Sequence, residues 1–193
     1  MHSQPTHRRF SSAILAFALL YVVQPLLAQE RDGHAPRPGD EGVFYGPLIR
    51  VKDGDSFEAK IQGVVMEFRL SDVDAPEYDQ PYGHEARAEL RSLIDGHDLV
   101  LVFVDTDRYG RTVTQAWVND INVNHEMVRR GAAWFYPQFA RDDTVFAIEG
   151  EARSAKRGLW SLSAQQRVEP WVWRERKRTS QRPDSRKKEM ERN

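Results

Sequence analysis

Between Val51 and Glu77 the chain gathers Asp53-Gly54-Asp55-Ser56, then Arg69, then Asp72-Val73-Asp74-Ala75-Pro76-Glu77, and a second arginine, Arg111, follows Asp107-Arg108-Tyr109-Gly110. Arginines and carboxylates in this mixture suit the hydrolysis of a phosphodiester. Such an ester is anionic and repels nucleophiles, so a catalyst must put positive charge on the nonbridging oxygens and hold the attacking water. Arg69 and Arg111 can do the first, because a guanidinium fork matches two phosphate oxygens and stays charged at any working pH. Glu77 is the candidate for the second, as general base or water-orienting carboxylate. Asp55 and Asp74 offer hard oxygen ligands for Ca2+, a Lewis acid for the same phosphate.

Simpler readings stand beside these. Asp53-Gly54 by itself is a hairpin turn signal. An EF-hand is excluded, because the twelfth position counted from Asp53 is Val64, where a glutamate is required. Arg111 could be a surface partner of Asp107. Tyr82 and Tyr109 could stack on a base, with Tyr136 a weaker candidate of the same kind, or could pack on the domain as ordinary aromatics. His84, His97 and His125 have no spacing that suits a metal or a catalytic pair.

Elements to position these groups can be read from periodicity. Val43 to Lys52 and Ser56 to Ile61 are predicted strands on either side of the Asp53-Gly54 turn. In the third, Val64, Met66, Phe68 and Leu70 share one parity and Glu67 and Arg69 the other, which turns Arg69 away from the core where the strand ends. From Tyr82 to Asp95 the period changes, with Ala86, Leu90, Leu93 and Ile94 on one helical face and Gly96 as the stop. Leu99 to Val104 is a buried strand pairing with Thr112 to Val118. A helix from an Asn122 cap to Gly131 follows, then one from Asp142-Asp143 to Gly158 with Val145, Ile148, Ala152 and Ala155 on one face. The order suits an α+β domain, a small closed barrel of the five-stranded OB type with a helix over one end.

The chain resembles the staphylococcal nuclease (thermonuclease) family. The likeness rests on Asp53-Gly54-Asp55-Ser56, Arg69-Leu70, Asp74-Ala75-Pro76-Glu77, Pro81-Tyr82-Gly83-His84-Glu85-Ala86, Asp107-Arg108-Tyr109-Gly110-Arg111, Gly131-Ala132-Ala133-Trp134 and Gly158-Leu159-Trp160, in that order. It implies an OB-fold barrel of five strands with three α-helices over residues 43–173, and a calcium-dependent phosphodiesterase acting on DNA and RNA with little sequence preference. It further implies 3′-phosphate products. By the same resemblance Asp55, Asp74 and the Ala75 carbonyl are metal ligands, Arg69, Glu77 and Arg111 the catalytic trio, and Tyr82 and Tyr109 substrate-binding residues. The intact trio favours an enzyme over a noncatalytic OB module that binds nucleic acid or protein. Two departures occur: Asp72 stands where many members carry glycine, and either joins the ion's water shell or points away, and Ser56 replaces a frequent threonine. Pro170-Trp171-Val172-Trp173-Arg174 resembles the family's C-terminal motif, with Trp171 and Trp173 expected to clamp the chain end by burial.

The first residues read differently. Thr6-His7-Arg8-Arg9, an apolar run from Ala13 to Val23 and a small residue at Ala28 predict a signal peptide over residues 1–28, hence export to a secreted or periplasmic location. That run is too short for a membrane span, so no stable membrane insertion is expected. Residues 29–42 read as a flexible lead-in. There is no cysteine in the 193 residues, so packing and a bound ion must supply what disulfides would have. The net charge of -1 hides an asymmetry. Residues 174–193 hold nine Lys or Arg against four Asp or Glu, which leaves about -6 elsewhere, and this basic tail is expected to be disordered. The domain is expected to act as a monomer.

Overall fold

A computed structural model describes residues 35–181. The expected signal peptide and the chain beyond residue 181 lie outside the described residues. In chain order the elements are β1 (Val43–Val51), β2 (Ser56–Ile61), β3 (Val64–Leu70), β4 (Val73–Asp74), α1 (Gly83–Ile94), β5 (Asp98–Thr106), β6 (Thr112–Val118), β7 (Ile121–Asn122), α2 (Val123–Arg129), β8 (Trp134–Phe135), α3 (Thr144–Ser154), a 3-10 turn (Gly158–Ser161) and α4 (Pro170–Gln181).

Five strands close on themselves in the order β3-β2-β1-β5-β6, with a parallel pairing of β6 to β3 completing the ring. The fold is therefore the α+β OB barrel. Local chemistry sets its register. Gln62 and Gly63 take φ of 49° and 87° between β2 and β3, the positive pair that a two-residue hairpin needs to match strand twist. That turn aligns Ile61 with Val64 and, at the far end, Ser56 with Arg69. Phe57 and Phe68 consequently face each other inside the barrel, stacked at 5.7 Å and fully buried. The alternation expected along β3 holds there: Phe68 and Leu70 are buried and Arg69 is not, although Val64, at the open hairpin end, is exposed.

The α1 face is the one its period specifies, with Ala86, Leu90, Leu93 and Ile94 buried. For α2, Asn122 accepts from the His125 N–H at 3.1 Å, and Gly131 follows the last turn at φ 69°. A side chain at Gly131 would meet the Arg157 carbonyl at 2.2 Å, so glycine is required for space as well as conformation. In α3 Val145 and Ala152 are buried, but Ala155 lies past the last turn and is exposed; Glu149, which the predicted face does not include, is buried and accepts from the Phe135 N–H.

Asn124 is a buried rivet that periodicity does not reveal. Its Oδ1 accepts from the Ala116 N–H, and its Nδ2 donates to the carbonyls of Ser71 and Thr114. It thereby ties α2 to β6 and to the end of β3.

The expected count of three helices and the expected disordered start of the basic tail at residue 174 are both corrected. A fourth helix, α4, continues through Gln181. Composition marks this stretch as solvated because it counts only local charge, whereas the cations have partners across the domain: Arg174 meets Asp74 and Glu77, and Lys177 meets Asp79. Trp171 stacks on Tyr136 at 5.1 Å with an interplanar angle of 7°, and the Trp173 Nε1 donates to Asp79. The two tryptophans thus fasten the helix to the domain, as their motif implies.

Replacing Asn124 with alanine strands the Ala116 N–H and two carbonyls. The expected loss is about 1–3 kcal/mol in urea unfolding with an unchanged slope.

Candidate active site

Asp55 reaches the site because Gly54 lets two segments touch. A β-carbon at Gly54 would lie 2.6 Å from the Ala75 Cβ and 2.8 Å from the Ala86 Cβ, so the turn between β1 and β2 packs directly on the β4 segment and on α1. Asp55 then accepts from the Ala75 N–H through Oδ2 at 2.8 Å, while its own N–H donates to Asp53 Oδ1 at 3.1 Å. Asp74 is fixed from the other side: β4 pairs with β8, Val73 opposite Phe135 and Asp74 opposite Trp134.

Arg69, leaving the barrel at the end of β3, joins the two carboxylates. Its Nη1 donates to Asp55 Oδ1 at 2.8 Å and its Nη2 to Asp74 Oδ1 at 2.7 Å. Arg174 approaches from α4 and donates to Asp74 Oδ1 and Oδ2 at 3.1 and 2.7 Å and to Glu77 Oε1 at 2.7 Å. Arg111 is linked through Ser56, whose Oγ accepts from Arg111 Nη1 at 3.2 Å and donates to Asp55 Oδ1 at 2.9 Å.

These charges condition one another. Burial works against the Arg69 and Arg174 charges, but the facing carboxylates outweigh it and raise both groups above their ordinary value. Asp74 is raised by its burial even though Arg174 and Arg69 pull it down. Asp53 is pushed up to about 7, first by burial and then by the Asp55 charge.

The structure thus brings Asp55, Arg69, Asp74, Ala75 and Glu77 into one cluster, with Arg111 joined to it through Ser56. Ala75 enters by its N–H. Arg111 is anchored by Asp107, which accepts from its Nε at 2.7 Å and from its N–H at 3.0 Å, while its Nη1 reaches Ser56. Tyr109, 69% exposed, lies beside Arg111 and Arg108, whose guanidinium carbons stand 5.6 and 4.9 Å from its ring. Tyr82 instead lends its ring to the packing of both hydrophobic clusters, from a left-handed position at φ 71° ahead of α1. Tyr136 is stacked between neighbours, on Trp171 and edge-on to Phe139.

Asp72 points away from the cluster. Its Oδ1 accepts from the N–H groups of Arg141 and Asp142 at 2.6 and 3.3 Å, and its Oδ2 from the Ser71 hydroxyl. It anchors the segment that leads into α3. The residue that sequence reasoning missed is Arg174. The Pro-Trp-x-Trp-Arg motif contains it, but nothing local to the motif shows that its guanidinium reaches Asp74 and Glu77.

As donors, the carboxylates of Asp55 and Asp74 fit a hard cation such as Ca2+, which takes oxygen ligands. Among the described residues no three His, Cys, Asp or Glu side chains converge as a ready-made cage. Both oxygens of each carboxylate already accept from N–H or O–H donors. A cation on this pair therefore shares these oxygens with donors already in place, and a two-oxygen grip on Asp74 has to displace the Arg174 fork.

An OB barrel carrying arginines and carboxylates at one end defines the class, a barrel nuclease, and the relatives agree. Residues 67–162 match the family model described as "Staphylococcal nuclease homologue". An "Uncharacterized endonuclease" of Escherichia coli O157:H7 is 41% identical over 135 residues, covering 69% of this chain and 87% of that protein. "Protein ParB" of Escherichia coli is 35% identical over 173 residues, 84% of this chain and 89% of its own. "Micrococcal nuclease" of Shigella flexneri is 34% identical over 142 residues, 68% of this chain and 80% of its own. The chain belongs to the staphylococcal nuclease family. It is a hydrolase whose substrates are nucleic acids.

Substitutions at two positions probe the scaffold of the site. Gly54→Ala forces Ala75 and Ala86 apart and is expected to cost about 1–3 kcal/mol in denaturant unfolding, the range for overpacking. Asp72→Ala leaves the Arg141 and Asp142 N–H groups without their acceptor and should cost a similar amount, about 1–3 kcal/mol. Asp72→Asn, which keeps an acceptor oxygen, recovers most of that loss in the same unfolding measurement.

Proposed function

We propose that the protein is a Ca2+-dependent nuclease that hydrolyses phosphodiester bonds of DNA and RNA with little sequence preference and leaves 3′-phosphate ends. One observation carries the reading. A single guanidinium, Arg69, bridges Asp55 and Asp74, while Glu77 is tied to Asp74 through Arg174 and Arg111 to Asp55 through Ser56. The groups that a phosphodiesterase needs are thus mechanically connected.

In this scheme the nonbridging oxygens of the scissile phosphate accept from Arg69 and Arg111, whose forks suit two oxygens at once. Glu77 orients a water and takes its proton as the water oxygen bonds to phosphorus. The bond from phosphorus to the 5′ oxygen breaks, and that oxygen leaves as the alcohol after taking up a proton. Asp55, Asp74 and the Ala75 carbonyl would hold a Ca2+ ion, which would supply Lewis-acid charge to the same phosphate. Contacts to phosphate carry no sequence information, and an exposed ring such as Tyr109 stacks on any base, so weak sequence preference follows.

An exported, monomeric enzyme completes the reading. Export is supported by the basic and apolar leader of residues 1–28. Among the described residues no helix is long and apolar enough to cross a membrane.

Release of acid-soluble nucleotides from single-stranded DNA and from RNA, with Ca2+ and with chelator, tests the proposal. Cleavage is expected in Ca2+ and not in chelator, and Glu77→Gln should lower the rate about 10²- to 10³-fold, the usual cost of one catalytic group. A folded protein that cuts neither substrate with any divalent ion would return the barrel to the role of a nucleic-acid-binding module.

A further inference from the structure

We propose that Arg174 is a positioning residue of the active site: it holds Asp74 and Glu77 in register, and a divalent cation must displace it from Asp74 in order to bind. This rests on the Ca2+ reading above.

The guanidinium of Arg174 covers Asp74 more completely than Arg69 does. It donates to both oxygens, at 3.1 and 2.7 Å, and shares the first with Arg69. An incoming ion therefore cannot take Asp74 in two-oxygen fashion while that fork is in place, and at Oδ2 it would sit against the guanidinium charge.

Exposure decides which arginine yields. The Arg69 side chain is 16% exposed and is wedged between Asp55 and Asp74, whereas that of Arg174 is 36% exposed. Arg174 also keeps a second partner, because its Nη1 donates to Glu77 Oε1 at 2.7 Å. It can release Asp74 and remain paired.

Its helix does not depend on the Asp74 contact. Trp171 on Tyr136, Trp173 on Asp79 and Lys177 on Asp79 hold α4 independently.

Charge balance points the same way. Asp55, Asp74 and Glu77 bring three negative charges against the three positive charges of Arg69, Arg174 and, one hydroxyl away, Arg111. A divalent ion on the aspartates would make the cluster net positive and repel the more exposed of the two arginines on Asp74. Arg174 is that cation, and once released from Asp74 it stands beside Glu77, where an anionic phosphate would offset the excess.

The test is calorimetric titration of the full-length wild type, Arg174→Gln and Arg174→Lys with CaCl2, with Asp74→Asn as a control for the site. Arg174→Gln is expected to bind Ca2+ about tenfold tighter than wild type, the equivalent of about 1.4 kcal/mol. Arg174→Lys, which keeps the charge but not the fork, should fall between, and Asp74→Asn should bind poorly. In chelator Arg174→Gln should melt below wild type, and saturating Ca2+ should raise its Tm by more. A merely structural role lowers the Tm without tightening Ca2+ binding. Equal or weaker Ca2+ affinity in folded Arg174→Gln overturns the proposal and leaves the Ca2+ reading intact; if that variant does not fold, the same result with Arg174→Lys overturns it. Absence of Ca2+ binding in wild type and variants alike overturns the Ca2+ reading and this proposal together.

Discussion

A half-buried guanidinium shared by two buried carboxylates is the constraint around which the rest of this domain is arranged. Asp55 and Asp74 come from segments nineteen positions apart, and Arg69 meets both at 2.7 to 2.8 Å. Burial above all, with the Asp55 charge adding to it, holds the Asp74 carboxyl above its ordinary range even though Arg174 and Arg69 pull it down. Removing one partner of such a set leaves the others uncompensated, so the arrangement persists only if every member is held from behind. The fold supplies that hold at each point: the Ala75 N–H for Asp55, the β4–β8 pairing for Asp74, and the β3 register for Arg69.

Barrel closure is what makes those separate supports agree. β3 pairs antiparallel with β2 and parallel with β6, so Arg69 lies between Ser56 on one side and Val113 on the other. Ser56 abuts Asp55, and β6 begins just after Arg111, so closing the ring places both arginines and the first carboxylate at one end. Asn124 then locks β6 to Ser71, the residue just after β3, with all its bonds buried. The chemistry sits on strand ends because strands, unlike free loops, fix position through their neighbours' hydrogen bonds.

Much of this was legible in the residues. The parity of Phe68, Arg69 and Leu70, the face of α1 and the cap at Asn122 are local patterns, and local patterns survive folding. Which turns would touch was not legible. That Gly54 permits contact with Ala75 and Ala86 depends on three segments meeting, and Asp53-Gly54 alone reads as a hairpin. Asp72 was ambiguous for a related reason. Its destination is the backbone of Arg141 and Asp142, about seventy residues downstream, and no spacing rule spans that distance. α4 was misjudged because its hydrogen-bonding cations look unpartnered in sequence, while Asp74, Glu77 and Asp79 lie one hundred positions away or nearly so.

The charge asymmetry of the chain acquires a meaning once α4 is placed. Residues before 174 carry about -6 in sum, a charge that by itself would repel nucleic acid. The cations that offset it are not spread evenly. Arg108 and Tyr109 are exposed beside Arg111, while Arg176, Lys177 and Arg178 are exposed on the helix that carries Arg174. Lys177 and Arg178 are partly spent on Asp79 and Glu175. Arg108 and Arg176 are not among the described ion pairs. The segment that composition alone assigns to solvent is thus partnered within the domain, Arg174 with Asp74 and Glu77 and Lys177 with Asp79.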